Sequence, residues 1–246
     1  MRLVLFVSVS LLVASLGLRL LQSSLRTGAR PELWLGLGFT CAGASAWLIP
    51  LAASEGMPEA TARALAFAAQ SGLSLAIALL VRFTWIVFRP ASRVARWLAP
   101  ALIAANLASF AGLVASGTPV PTGRLGLAVI LSRTAVMLWL FVESARYARG
   151  MRRRVRLGLA EPMVANRFTL WAIWTGALAC IPLFVLALRV LGLLAAPVAG
   201  QPLAAEWRAV FAMLGAGLAV AFGACWLAFY PTARYRRWIE TRAATI

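Results

Sequence analysis

The sequence predicts an all-α membrane protein: a seven-transmembrane-helix bundle in a single domain, with its N-terminus outside and its C-terminus cytoplasmic. Three observations lead there. Long apolar stretches, each roughly one bilayer thick, follow one another along the chain. Of its 246 residues 62% are hydrophobic, and mean hydropathy is +0.86. Arginines gather at alternate connections between the stretches. A soluble domain with this composition would expose more apolar surface than water tolerates. A hydrocarbon core about 30 Å thick takes about 20 helical residues per crossing, which fits seven spans with short connections.

The spans fall at about 3–22, 33–50, 63–88, 97–116, 125–147, 163–191 and 207–230. The first follows Arg2 as a signal peptide would, but it lacks a small-x-small cleavage site and leads straight into the second, so it is read as retained. Arg30-Pro31-Glu32 opens the second span and Glu161-Pro162 the sixth. Proline suits the first helical position, and a carboxylate there complements the helix dipole. In the second span, Gly36, Thr40 and Ala44 form one small-residue ridge, and Gly38, Ala42 and Ala46 another. In the seventh, the ridges are Gly215, Ala219, Gly223 and Gly217, Ala221, Cys225. Small residues let helix backbones approach in lipid, so both spans are expected to be central and protein-facing. Pro182 lies near the middle of the sixth span and removes a backbone hydrogen bond, which makes it a candidate hinge.

Arginine counts set the orientation. The connections after spans one, three and five, with the C-terminal tail, hold eighteen arginines; the opposite side holds Arg2, Arg63, Arg124, Arg189 and Arg208. Basic residues favour the cytoplasmic side. Trp34, Trp85, Trp97, Trp139, Trp171 and Trp238 are expected in the headgroup zone of that side, and Trp47 and Trp207 in the outer one. If the fifth helix continues into the cytoplasm, Arg146, Arg149, Arg153 and Arg156 share one basic face, suited to anionic lipid headgroups or to an acidic membrane or cytoplasmic partner protein.

Several functions are excluded by missing side chains. The chain contains no His, Lys or Asp. A Ser-His-Asp triad, a histidine-ligated haem or metal site and a lysine Schiff base are thereby ruled out, so neither retinal nor any other cofactor is expected, and no metal. No catalytic motif is present, and the chain is read as a non-enzyme. Cys41, Cys180 and Cys225 are widely spaced within apolar segments and are expected to be buried packing residues without a disulfide. The net charge of +17 would suggest nucleic acid in a soluble protein, but here the arginines sit at span ends, and no nucleic-acid partner is expected. An Ala/Gly/Arg/Pro-rich composition without lysine points to a GC-rich bacterial genome, hence to the bacterial inner membrane.

Polar groups inside spans are the candidates for function, since a midplane arginine costs at least about 2.5–3.5 kcal/mol on insertion scales. Arg133 in span five and Gln70 in span three each lie on the order of 10 Å below the outer surface at 1.5 Å rise per residue. Asn106 is near the midplane of span four, and Ser109, Ser132 and Thr134 add hydroxyls. Sequential spans are usually adjacent, so Arg133, Gln70, Asn106 and Ser109 are expected to line one outward-facing polar pocket for an anionic, polar or lipidic ligand. The competing expectation is that Arg133 snorkels to lipid phosphates or pairs with Glu206. Arg82 and Glu143, toward the cytoplasmic ends of spans three and five, are an expected ion pair.

The segments RTGARPELWLGLGF and EPMVANRFTLW resemble those of an uncharacterised bacterial family of seven-transmembrane-helix inner-membrane proteins. The layout is also similar to seven-helix receptors in topology, but there is no Asp-Arg-Tyr after span three and no Asn-Pro-x-x-Tyr in span seven. The function expected is a receptor- or sensor-like protein that signals to a separate partner. A small-solute or lipid transporter and a non-catalytic accessory or assembly subunit are the alternatives.

Overall fold

A computed structural model describes residues 2–52, 54, 56–119, 123–191 and 205–243, excepting the side chains of 2–7, 9, 205–212, 214, 242 and 243. The described residues form α-helices and no strand: α1 (Arg2–Thr27), α2 (Arg30–Ala52), α3 (Glu59–Phe88), α4 (Arg93–Ala115), α5 (Gly123–Arg156), α6 (Pro162–Val190), α7 (Ala205–Phe229) and α8 (Ala233–Ala243). The seven long helices coincide with the seven apolar stretches. Among the described residues, α2 to α6 are each long and apolar enough to cross a membrane, and the bent α7–α8 pair adds a sixth candidate if taken as one span. That is the character of a multi-pass membrane protein.

Local chemistry sets the ends. Ser92 caps α4 by accepting the Ala95 amide at 3.3 Å. Pro162 is the first residue of α6. α5 continues beyond the apolar stretch, which ends at about residue 147, and runs to Arg156, the continuation that a shared arginine face requires. It stops where Gly158 takes φ +70°, with Gly158 N donating to Val155 O at 2.9 Å and Leu159 N to Arg154 O at 2.8 Å. This paired closure needs a left-handed residue, which glycine adopts without penalty. Pro231 follows α7, and the chain turns by 83° into α8, a helix the hydropathy pattern did not reveal.

The chain divides into two compact units, Met1–Val136 and Met137–Ile246, with the division inside α5. In the N-terminal unit consecutive helices pack as antiparallel pairs, α1 on α2, α2 on α3 and α3 on α4. The approach of α1 to α2 is closest. A Cβ on Gly43 would lie 2.8 Å from Ala14 N, and one on Gly17 would lie 2.6 Å from Thr40 N. Gly38, on the other side of α2, faces Leu79 and Leu80 of α3. The expected ridge of Gly36, Thr40 and Ala44 is corrected to Gly36, Thr40 and Gly43, since Ala44 is exposed. A step of seven residues returns to nearly the same helical face, and glycine gives the closer approach.

In the C-terminal unit α7 and α8 both pack on α6. Gly217 meets Ile181 of α6, and Ala221 and Cys225 are buried below it. The ridge of Gly215, Ala219 and Gly223 does not face protein as expected. Ala219 and Gly223 are exposed, and a Cβ on Gly215 or Gly223 would meet no described atom within 4 Å. The two ridges are offset by two residues, about 200° around the helix, so one neighbour covers only one of them. Cys180 is exposed rather than buried, and Cys41 half-buried. Trp139 and Trp171 are buried as well, the latter against Trp174 at 4.6 Å, and are packing groups rather than headgroup anchors. Trp47, Trp97 and Trp238 are exposed, as anchors require. α8 is held by a reciprocal pair: Asn166 Nδ2 donates to the Tyr235 hydroxyl at 3.0 Å, and that hydroxyl lies 3.3 Å from Asn166 Oδ1.

Replacing Gly43 by Leu must force α1 from α2, and we expect a loss of about 1–3 kcal/mol from overpacking. Gly223→Leu, placed in open space, should change stability by less than about 0.5 kcal/mol. Unfolding in mixed detergent micelles measures both; equal losses would contradict the packing described.

Candidate functional site

Three helices of the N-terminal unit place their polar side chains in register. On α3, Gln70 and Ser74 are four residues apart and share a face, as do Asn106 and Ser109, three apart on α4. On α5, Ser132 and Arg133 are adjacent, so about 100° of helical rotation sends them to different neighbours. Ser132 meets α4, where Ser109 Oγ lies 3.3 Å from Ser132 Oγ. Arg133 turns to α3, and its Nη2 donates to Gln70 Oε1 at 2.7 Å. Asn106, only 2% exposed, donates through Nδ2 to the backbone oxygen of Ser74 at 2.9 Å. The four residues singled out in the sequence thus form a polar ladder joining α3, α4 and α5.

Most of the ladder's hydrogen-bonding capacity is used within it. The Ser109 and Ser132 hydroxyls also reach carbonyls of their own helices, Ala105 at 2.7 Å and Val129 at 3.0 Å. Thr134, expected to contribute a hydroxyl to the site, instead bonds Ile130 O at 2.7 Å in its own helix. Within the ladder, Arg133 Nε and Ser74 Oγ are buried and find no hydrogen-bond partner among the described residues. Arg133 is half-buried and meets a neutral amide, so its charge is solvated poorly. The side chain of Glu206, the alternative partner, lies outside the described residues.

Arg82 and Glu143 belong to different units, and each has a partner in its own. The Arg82 guanidinium stands over the ring of Trp85 at 4.8 Å and of Trp34 at 5.9 Å. Sequence reading placed both tryptophans at the headgroups and missed this cation–π cradle, which the i,i+3 spacing of Arg82 and Trp85 would have suggested. Glu143 is buried and receives Arg146 Nη1 at 3.4 Å. Arg146, Arg149, Arg153 and Arg156 are all exposed on the extension of α5, at steps of three and four residues that keep them on one face. Pro182 lies inside α6, which continues as helix to Val190.

No protein-family model, curated protein or solved structure matches the chain, so the reading rests on its own residues.

A double-mutant cycle with Gln70→Leu and Arg133→Met should give a coupling energy of about 0.5–1.7 kcal/mol, from the average to the upper end for polar bonds between membrane helices, since one partner is charged. Asn106→Leu alone should cost about 1 kcal/mol by leaving the Ser74 carbonyl with one partner fewer. Unfolding midpoints in mixed micelles supply all four corners of the cycle, and a coupling near zero would mean that the Gln70–Arg133 bond holds nothing.

Proposed function

We propose that this chain is a non-catalytic, receptor-like sensor of the bacterial inner membrane. In this reading it crosses seven times, N-terminus outside and C-terminus inside, and binds a small anionic, polar or lipidic ligand at Arg133. The observation that carries the reading is the continuity of α5. One helix bears Arg133 in its first third and the exposed arginine face at its far end. Twenty residues of this helix separate Arg133 from Arg153. A ligand anion has to draw the guanidinium from Gln70, and a charged acceptor outbids a neutral amide by about twofold in hydrogen-bond strength. Such a ligand prefers the conformation in which Arg133 has left Gln70, and that difference in affinity is what shifts the population. Movement of α5 then displaces the basic face, where lipid headgroups contribute about 1 kcal/mol per arginine and a partner protein reads the change.

A second reading has its own support. The ladder satisfies itself in large part, as a device for holding three helices together would, and this favours an accessory subunit whose role is helix contact.

One set of variants separates the two. A cytoplasmic fluorescent reporter fused after Ile246 should be active and a periplasmic phosphatase there inactive; the reverse would overturn the orientation. A spin label on Gly150→Cys, in a background lacking the native cysteines, reports on the end of α5. Arg133→Met, which removes the Gln70 bond as a competing anion would, should change the label's mobility. Asn106→Leu, which cuts a bond between α3 and α4 only, should not. A label indifferent to both leaves the accessory reading.

A further inference from the structure

The C-terminal unit contains a cavity of about 420 Å³ that shares no residue with the ladder and only Arg156 with the exposed arginine face. Its size is within the range of about 300–1,000 Å³ typical of small-molecule sites. Three elements build it: the last turns of α5, the first three turns of α6 and the inner face of α8. The polar lining consists of Arg152, Arg156, Asn166, Thr169 and Tyr235, and no acidic side chain is among the lining residues.

The two arginines differ in how they are held. Arg152 Nε donates to Thr169 Oγ1 at 3.2 Å, which fixes the plane of its guanidinium and leaves the terminal nitrogens for another acceptor. Arg156 is exposed and makes no hydrogen bond or ion pair with the described residues. The Asn166–Tyr235 pair ties α8 to α6 and forms a polar wall. The start of α6, where Glu161 is the N-cap and makes no side-chain cap hydrogen bond, lines the same space through Pro162 and Ala165. The positive charge of the site comes from its two arginines, and no acidic side chain is among its walls.

Its lining changes character with depth. Along α6 the sequence of contacts passes from Pro162 and Asn166 through Thr169 to Leu170 and Ile173, about 16 Å of helix at 1.5 Å per residue. Ile173 belongs to the apolar stretch of a candidate span and is itself exposed. Trp238, half-exposed on α8, closes the polar end with an amphipathic ring of the kind that settles at headgroup level. A wholly soluble anion would use the arginines and leave the apolar half of this wall without a partner.

We propose that this cavity binds a phosphate ester between Arg152 and Arg156, with the apolar body that carries the phosphate lying along Leu170 and Ile173. An anionic phospholipid has this build, and inorganic phosphate shares only the charged part. The site is independent of the Arg133 reading and stands or falls without it.

Native mass spectrometry of the full chain in detergent, with added phosphatidylglycerol, phosphatidylcholine or inorganic phosphate, tests the assignment. Phosphatidylglycerol adducts should survive activation at least fivefold better than phosphatidylcholine adducts. The pair Arg152→Gln and Arg156→Gln should reduce their retention about tenfold. The pair Arg236→Gln and Arg237→Gln removes the same charge from exposed positions of α8, outside both the cavity lining and the basic face of α5, and should change retention by less than twofold. Unchanged thermal melting of both doubles shows that they are folded; if the cavity double melts, Asn166→Leu takes its place and should also weaken retention. Lipid retained in the presence of millimolar inorganic phosphate supports an apolar body along Leu170 and Ile173, whereas displacement of the lipid by inorganic phosphate would overturn that part of the assignment and leave a site for the charged group alone. Equal losses in the two arginine pairs, or retention of neither ligand, would overturn it.

Discussion

The constraint on which this structure depends is that a peptide group inside hydrocarbon has no water to bond. Every backbone N–H and C=O within an apolar span must find its partner in the chain, and helix formation is the local solution. That is why α2 to α6 coincide with apolar stretches long enough to cross a membrane even though propensity alone would not require it: β-branched and aromatic residues are common in α3 and α6. Once helices have formed, burial of apolar surface no longer favours their association, because lipid is as apolar as a neighbouring helix. The bundle is then held by close backbone approach and by a few polar bonds. Gly17, Gly36 and Gly43 supply the first between α1 and α2. Gln70, Asn106, Ser109, Ser132 and Arg133 supply the second across α3, α4 and α5.

This division explains what the sequence disclosed and what it withheld. Hydropathy is a property of a stretch, so the helices were legible. Small-residue ridges were legible as candidates only, since a ridge packs when a neighbour lies beside it. α2 has neighbours in α1 and α3 and uses two of its faces, whereas α7 packs on α6 through the Gly217 face and leaves Gly223 open. The polar residues of the ladder were found because any such residue is costly in lipid. Their partners were not: Asn106 bonds a backbone carbonyl, which no sequence pattern marks, and the choice between Ser132 and Arg133 for each neighbour depends on helix rotation.

The cytoplasmic side, as proposed, was the least legible. Outside the hydrocarbon the chain is free to leave the helix, and hydropathy says nothing about whether it does. α5 continues because its residues from Glu143 to Arg156 are good helix formers with Gly150 as the one weak position, and it ends at Gly158 because a left-handed residue is available there. α8 was hidden for a related reason. Tyr235, Trp238 and Ile239 have the i, i+3, i+4 spacing of a helix that lies flat, but one short turn of pattern among four arginines is too little signal to separate from a solvated tail.

These two late-appearing elements are what give the C-terminal unit its chemistry. Had α5 ended near residue 147, Arg152 and Arg156 would have been loop residues without fixed direction, and Arg152 would not meet Thr169 at all. Had the chain continued straight after α7, Tyr235 would not reach Asn166, and the polar end of the cavity would have no wall. Both features follow from ordinary local rules, a glycine that closes one helix late and a proline that follows the end of another. Together they bring Arg152, Asn166, Thr169 and Tyr235 to the walls of one cavity. In the proposed reading the positive charge that orients the chain and the charge offered to a ligand come from the same stretch of α5, where Arg152 stands apart because Thr169 holds it still.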